Sequence, residues 1–255
     1  MRTCEDSPLL GDHEEAAKEY RSSVGTLNFF AQATRYDIAH AMSRLGQHMA
    51  KPTEASNKAL QRVLKYLGAN PELQLEGTRP LVDTYRYYSD SDHAGDRPAT
   101  TRSQTGMVFF LNQVPVYWAS RKQVQGTAVS SAMAEIYAMA DTVRCARLFK
   151  WRCEDMGMTI KGPIVLEIDN TQAISFQRAS CIDSKLKGFI SLKEAWVKEL
   201  RDLNILHTKH IPTKHNPADL LTKCHPAKDF KRLVKLVQGE QQTRRVYSFV
   251  TQQTA

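Results

Sequence analysis

The sequence predicts an α/β fold in which a mixed five-stranded sheet with flanking helices follows a small helical region. Three observations support this class. Apolar residues recur at helical spacing up to residue 67, five short β-rich runs follow, and helical segments alternate with the later runs. A hydrophobic fraction of 42% in 255 residues is sufficient for a packed core.

The sequence pattern of residues 1–80 predicts the helical region followed by a linker. One face of the clearest helix carries Leu60, Val63, Leu64 and Leu67, at the spacing i, i+3, i+4, i+7. Thr53 is expected to cap the start of this helix, and Gly68 is expected to end it. The stretch 68–80 then predicts a linker.

The layered domain is predicted to cover residues 81–240, and residues 241–255 are predicted to form a basic and polar tail. The predicted strands are 84–89, 106–111, 114–119, 164–168 and 205–211. The predicted helices are 131–156, 169–176, 187–203 and one from 219 onward. Because the first three strands follow one another directly, they predict an antiparallel meander. A functional site is expected near the strand ends of the resulting mixed sheet.

The chain is basic, with 35 Lys and Arg against 27 Asp and Glu and a net charge of +8. This balance favours a polyanionic partner, most often nucleic acid. The basic residues that could contact phosphates are Arg97, Arg102, Arg121 and Lys122 beside the meander, and Lys185, Lys187, Lys193 and Lys198 in the later helix. About half of them are expected to be solvated side chains only.

Cysteine usage and hydropathy argue against several protein classes. The five cysteines are odd in number and form no C-x-x-C pair, which disfavours a disulfide framework and a zinc ribbon. No apolar run approaches the ~18 residues of a membrane span, and the first residues lack a signal-peptide core. We therefore expect a soluble intracellular protein, cytoplasmic or nuclear, with no membrane partner.

Four acidic residues are expected where a strand ends or a helix begins. They are Asp90 in YSDSDHAGD, Glu135 in AMAEI, Asp169 in IDN and Asp219 in ADLLTK. Cleavage of a phosphodiester by two metal ions needs several converging carboxylates, and hard oxygen ligands suit Mg²⁺ or Mn²⁺. Each acid taken singly is more often a turn former or a helix cap. Asp92 is a reserve candidate for the place of Asp90.

Together and in this order, the four segments resemble the ribonuclease H domain of copia-type LTR retrotransposon Pol polyproteins. The family motifs YSDADWAGD, TEAEY, CDN and ADILTK correspond here to YSDSDHAGD, AMAEI, IDN and ADLLTK. The segment from Tyr20 resembles the part that follows the polymerase palm, so residues 1–80 would be a reverse transcriptase thumb or connection. The resemblance covers residues 20–237 and implies a ribonuclease H-like fold.

The resemblance implies a metal-dependent endonuclease that cleaves the RNA strand of RNA–DNA hybrids with two Mg²⁺ or Mn²⁺ ions. Asp90 would bridge both ions, and Asp219 would lie on the side of the attacking water. Asp169 and Glu135 would lie on the leaving-group side, and Glu135 would also contact the RNA 2′-hydroxyl. His215 would assist proton transfer or product release, with a solvated loop histidine as the alternative. The implied partners are the hybrid and the upstream polymerase palm and fingers.

The sequence departs from the family pattern at several positions. His93 stands in place of a tryptophan, Tyr36 in place of a proline, and Met133 in place of a glutamate. The segment from Ser184 keeps little of the usual pattern, which leaves the substrate contacts there open. Residues 1–80 contain no Y-x-D-D turn, so this chain is not expected to polymerise DNA by itself.

Three functions are compatible with these observations. The first is an active ribonuclease H within a retrotransposon polyprotein. The second is a transposon-derived nucleic-acid-binding fragment whose catalysis is weak or absent. The third is a DNA-directed nuclease of the same fold, such as an integrase or a Holliday-junction nuclease, against which the thumb-like helical region argues. Cleavage of a hybrid but not of duplex DNA separates the first from the third, and binding without cleavage indicates the second.

Overall fold

The computed structural model describes residues 7–10, 14–73, 75, 84–93, 95, 102–124, 128, 130–179 and 192–238. Several predicted features lie outside this part of the chain. They are Asp96, Arg97, Ser184, Lys185, Lys187, residues 76–80 of the linker and the tail 241–255. Within the described ranges, no helix combines the length and the apolar character that a membrane crossing requires.

Three helices form the N-terminal region. They are α1 (Glu14–Ala33), α2 (Ala39–Gly46) and α3 (Glu54–Ala69), and a 3₁₀ turn, Tyr36–Ile38, joins the first two. Thr53 caps α3 as predicted, because its side chain accepts a hydrogen bond from the Ser56 amide and the Ser56 hydroxyl accepts one from the Thr53 amide. The helices enclose a core of their own that includes Val24, Met42 and Leu60.

Five strands form one mixed sheet. They are β1 (Tyr85–Asp92), β2 (Gln104–Leu111), β3 (Val114–Lys122), β4 (Ile164–Ile168) and β5 (Leu206–His210), in the spatial order β3-β2-β1-β4-β5. β1, β2 and β3 pair antiparallel, as the meander predicted, whereas β4 pairs parallel with both β1 and β5. The predicted α/β class with a mixed five-stranded sheet is therefore confirmed. Because β1 extends to Asp92, Asp90 lies inside the strand and not at its end.

Four α-helices accompany the sheet in the described part of the chain. They are α4 (Ser131–Asp155), α5 (Thr171–Arg178), α6 (Leu192–Asp202) and α7 (Ala227–Gln238). The helix predicted from Asp219 onward is wrong, because Pro217–Leu221 forms a separate 3₁₀ helix and α7 begins only at Ala227. Asn216 caps this 3₁₀ helix and donates a 2.9 Å hydrogen bond to the Ser89 carbonyl of β1. The segment is thus held against β1 and ends as a short 3₁₀ helix.

Apolar side chains form a core on each face of the sheet. On one face, Tyr87, Phe109 and Leu166 pack against α4, α5 and α6. On the other face, Tyr88 and Phe110 pack against the 3₁₀ helix and α7. Successive residues of a strand point to opposite faces, which explains why neighbouring aromatic residues enter different cores.

The helical region packs directly on the α7 face of the sheet. Tyr36 is fully buried there, with its ring centroid 5.8 Å from that of Trp118. The Tyr36 hydroxyl donates to the Val234 carbonyl of α7 at 3.1 Å, and Trp118 Nε1 donates to the Ala31 carbonyl of α1 at 2.6 Å. The residue that replaces the family's proline therefore joins the helical region to β3 and α7.

A buried ion pair holds the turn that carries Tyr36. The Arg35 guanidinium donates to both carboxylate oxygens of Asp37, at 3.0 and 2.8 Å. The Tyr66 hydroxyl of α3 donates to the same carboxylate at 2.8 Å. Because a buried ion pair needs such additional hydrogen bonds to offset its desolvation, this arrangement fixes the turn against α3.

Candidate functional site

The parallel pairing of β1 and β4 brings two predicted acids to the same edge of the sheet. Tyr88 of β1 pairs with Glu167 of β4, and Asp90 and Asp169 each lie two residues further along. Glu135, in the first turns of α4, joins them: one carboxylate oxygen from each of the three acids lies within 4.8 Å of the others. In the described part of the chain, this is the one group of three or more Asp, Glu, His or Cys residues that converge in this way.

The backbone of β1 positions Glu135. The Ser91 amide donates a hydrogen bond to Glu135 Oε1 at 3.3 Å, whereas Glu135 Oε2 is buried without a hydrogen-bond partner. A buried carboxylate oxygen with no partner is costly, and a divalent cation would satisfy it. All the converging donors are carboxylate oxygens, which are the ligands that Mg²⁺ and Mn²⁺ prefer. The residues present therefore fit a divalent metal ion.

Burial and mutual repulsion shift the pKa values of two of these carboxyls. Burial raises the pKa of Asp90 to about 7, a hydrogen bond from Thr222 opposes this rise, and the charges of Asp169 and Asp219 add to it. Burial, followed by the charges of Asp90 and Asp169, raises the pKa of Glu135 well above its ordinary value. Clustered carboxyls whose pKa values are raised in this way are frequent at functional sites.

Asp219, the fourth predicted acid, lies beside this group but outside the set that converges within 4.8 Å. Lys223 Nζ forms an ion pair with Asp219 Oδ1 at 2.6 Å. His225 Nε2 donates a hydrogen bond to the Asp219 carbonyl at 2.7 Å. Thr222 donates to Asp90 Oδ2 at 2.6 Å, which connects the 3₁₀ helix of Asp219 to the group of three acids.

Three of these contacting residues, Thr222, Lys223 and His225, were not predicted from the sequence. The first two end the motif ADLLTK, so the motif contained a signal for them, whereas nothing in the sequence distinguished His225. The predicted histidine, His215, lies half-buried in the 3₁₀ turn Thr213–His215 that precedes Asp219, and its role stays a prediction. Asp92, the reserve candidate, ends β1 outside the three-acid group.

The predicted phosphate contacts have different environments. Lys198 is buried, and its Nζ lies 4.2 Å from the centroid of the Phe176 ring, so it is not accessible to a phosphate. Lys193 forms an ion pair with Asp141 at 2.8 Å. Arg102 and Arg121 are exposed and Lys122 is half-buried, which leaves the basic residues beside the meander on the surface.

Gly106 allows the close approach of the 3₁₀ helix to the sheet. It pairs with Asp90, and a Cβ atom on it would lie 2.5 Å from the Ala218 carbonyl oxygen and 2.7 Å from Thr222 Cγ2. We expect Gly106→Ala to displace this helix and to lower the free energy of unfolding by about 1–3 kcal/mol, as measured by urea denaturation. Gly25→Ala in α1 is the matched control, because nothing lies within 4 Å of its Cβ position. An unchanged stability of Gly106→Ala would contradict the close approach.

The stability of the metal-free protein should fall as the pH rises from about 4 to about 7. Because burial raises the pKa of Asp90 from 3.8 to about 7, the folded state keeps a proton that the unfolded chain has released. Below the unfolded pKa both states carry the proton. As the pH rises through the folded pKa, ionisation favours the unfolded chain more than the folded one, so the free energy of unfolding falls. Asp90→Asn should remove this part of the pH dependence. Thermal unfolding in EDTA across this range measures it, and identical pH profiles for wild type and variant would refute it.

Comparison with known proteins gives matches in sequence but none to a protein-family model. The chain is 32% identical over 208 residues to the retrovirus-related Pol polyprotein from transposon RE1 of Arabidopsis thaliana, a match that covers 80% of this chain and 14% of that protein. This chain is homologous to part of the retrovirus-related Pol polyproteins. A second Pol polyprotein, from transposon TNT 1-94 of Nicotiana tabacum, is 30% identical over 220 residues, 86% of this chain and 16% of that protein. The resemblance predicted from the motifs is confirmed, and the chain spans about a sixth of these Pol polyproteins or less.

Other similarities are shorter or more distant. The Secreted RxLR effector protein 161 of Plasmopara viticola is 37% identical over 125 residues, 49% of this chain and 87% of that protein. A solved structure of LC11-RNase H1 in complex with an RNA/DNA hybrid covers 55% of this chain and 94% of its own, with a TM-score of 0.40 and 16% identity. A foamy viral protease-reverse transcriptase in complex with dsDNA covers 77% of this chain and 38% of its own, with a TM-score of 0.43 and 12% identity.

Proposed function

We propose that this chain is the ribonuclease H part of a retrotransposon Pol polyprotein and cleaves the RNA strand of RNA–DNA hybrids. The observation that carries the proposal is the convergence of Asp90, Glu135 and Asp169 within 4.8 Å at one edge of the sheet. Homology to Pol polyproteins over 80% of the chain supports the same activity. The net charge of +8 suits a polyanionic substrate.

Asp90, Glu135 and Asp169 would hold Mg²⁺ or Mn²⁺, with Asp219 as the further ligand of a two-ion site. When bound, such ions activate the attacking water and stabilise the charge on the leaving oxygen. Glu135 would also contact the RNA 2′-hydroxyl and so help to distinguish RNA from DNA. His215, on the turn before Asp219, would assist proton transfer or product release.

Thr222 keeps Asp90 in a fixed orientation. Its hydroxyl has one proton and two acceptors nearby, Asp90 Oδ2 at 2.6 Å and the Asp219 carbonyl at 3.1 Å. The shorter contact is to a carboxylate, which is the stronger acceptor, so the Thr222 hydroxyl donates its hydrogen bond to Asp90. A ligand carboxylate that is held in this way loses little freedom when a cation binds.

Lys223 reduces the repulsion among the carboxylates. Its ammonium pairs with Asp219, and its charge also favours the ionised form of Asp90. In the absence of a metal ion, this cation offsets part of the negative charge that burial concentrates at the site. The chain therefore contributes a positive charge of its own beside the proposed ligands.

The upstream polymerase palm and fingers are the proposed protein partner, and α1 offers a contact surface for them. Phe29 and Phe30 are 70% and 47% exposed and stack edge to face, with ring centroids 5.9 Å apart. Leu27, in contrast, is buried within the helical region. An exposed aromatic pair beside a well-formed core is typical of a surface that another protein covers.

Incubation of the purified chain with an end-labelled RNA–DNA hybrid and Mg²⁺ or Mn²⁺ tests the proposed activity. We expect cleavage of the RNA strand that depends on the metal ion, and no cleavage of duplex DNA of the same sequence. Cleavage of the duplex DNA would indicate a DNA-directed nuclease. Binding of the hybrid without cleavage would indicate a transposon-derived nucleic-acid-binding fragment.

A further inference from the structure

A basic cleft of about 220 Å³ lies beside the carboxylates, between the helical region and the sheet. Its cationic side chains are Arg44, Arg102, Lys122 and Lys223. Asp92 is the carboxylate among the described lining residues, and Lys223 is paired with Asp219, so three further cations, Arg44, Arg102 and Lys122, accompany this one acid. Thr222 also lines the cleft and donates to Asp90, so one residue separates the cleft from the proposed metal site.

Arg44 reaches this cleft from α2, a helix outside the layered domain. A chain of hydrogen bonds fixes α2 in place: Gln104 Nε2 donates to Ser43 Oγ at 2.9 Å and to Ser120 Oγ at 2.8 Å. Ser120 Oγ in turn donates to the Leu221 carbonyl at 2.6 Å. Leu221 belongs to the 3₁₀ helix that carries Asp219, so this chain of hydrogen bonds connects α2 with the elements that carry the predicted acids.

His40 forms an uncharged part of the cleft wall. Burial, with a smaller effect of the Arg44 charge, lowers the pKa of His40 to about 4, so its ring is neutral near pH 7. The ring Nδ1 lies 3.4 Å from Ser120 Oγ. The positive charge of the cleft therefore comes from the arginines and lysines.

We propose that this cleft binds a backbone phosphate of the nucleic-acid substrate and that Arg44 takes part in this contact. The inference rests on the proposed function. A guanidinium donates paired hydrogen bonds to phosphate, and the charges of Arg44, Arg102 and Lys122 outweigh the charge of Asp92 in the cleft. Because Thr222 links the cleft to Asp90, a phosphate bound in the cleft would lie close to the bond that is cleaved. The helical region thus supplies part of the substrate surface of the nuclease.

Equilibrium binding of the full chain to a fluorescent RNA–DNA hybrid in EDTA, at several salt concentrations, tests this contact without cleavage. Arg44→Ala should weaken binding several-fold and reduce the slope of log K against log salt concentration by about 0.9, the value for one phosphate. Arg44→Lys, which keeps the charge, should retain most of the slope. The matched control is Arg62→Ala, which removes an exposed arginine of α3 outside the cleft and should leave the slope unchanged.

An unchanged slope in Arg44→Ala, an equal reduction in Arg62→Ala, or no binding by the wild type would overturn the proposal. Thermal unfolding verifies that Arg44→Ala is folded, and Arg102→Ala, two residues before β2, gives a second variant with the same expected reduction. Cleavage by the wild type is measured separately. Cleavage without an effect of Arg44 on binding refutes the cleft alone, and an effect of Arg44 on a chain that does not cleave refutes the nuclease alone.

Discussion

Asp90→Asn is expected to reduce the rate of hybrid cleavage by roughly three orders of magnitude, the loss that follows removal of a charge-stabilising group from a catalytic site. Asp90 takes part in the three-acid group and accepts the hydrogen bond of Thr222. Asparagine keeps the shape of the side chain and can accept the same hydrogen bond, but it lacks the charge that binds a divalent cation. Initial rates with a labelled hybrid and Mg²⁺ measure the effect.

Asp155→Asn is the matched control for this variant, because Asp155 is exposed at the far end of α4. It should cleave at the wild-type rate. Thermal unfolding separates loss of catalysis from loss of folding, since removal of a buried carboxylate should leave the metal-free protein at least as stable as the wild type. A rate for Asp90→Asn within about tenfold of the wild type would exclude a ligand role for Asp90.

Tyr36→Ala is expected to lower the free energy of unfolding by about 3–5 kcal/mol, the usual cost of truncating a large buried aromatic side chain. The ring of Tyr36 is fully buried between the helical region and the sheet, and its contacts with Trp118 and the Val234 carbonyl would be lost together. A cavity would remain where three elements meet. Urea denaturation, followed by far-ultraviolet circular dichroism, measures the change.

Tyr36→Phe removes only the hydroxyl and should cost about 1 kcal/mol, which separates the hydrogen bond from the packing of the ring. A separate, earlier unfolding step of the helical region, at the same urea concentration in wild type and Tyr36→Ala, would show that the Tyr36 contact does not stabilise the folded protein. One cooperative transition that moves to lower urea in Tyr36→Ala is the expected result.

The elements that depend on local spacing could be predicted from the sequence. The helix α3, the Thr53 cap and the run of three strands each depend on residues close together in the chain, and the structure confirms all three. Two details of α3 differ: Leu64 of the predicted apolar face is 40% exposed, and the helix passes Gly68 to end at Ala69. The order of the motifs also predicted the relation to Pol polyproteins, which the sequence comparison confirms. The prediction of a helix from Asp219 was wrong, because the Asn216 cap and Pro217 here start a 3₁₀ helix that a hydrogen bond to β1 holds in place.

What the sequence by itself determined is therefore the strands and most of the helices, the relation to Pol polyproteins, and which acids were candidate ligands. The tertiary structure alone decided that three of the acids converge, that Thr222 orients Asp90 and that Arg44 lines the same cleft as Thr222. Thr222 and Asp90 are 132 residues apart, so no local pattern records their contact. Such contacts follow from the parallel pairing of β1 and β4 and from the packing of α2 and the 3₁₀ helix on the sheet, which depend on the whole chain.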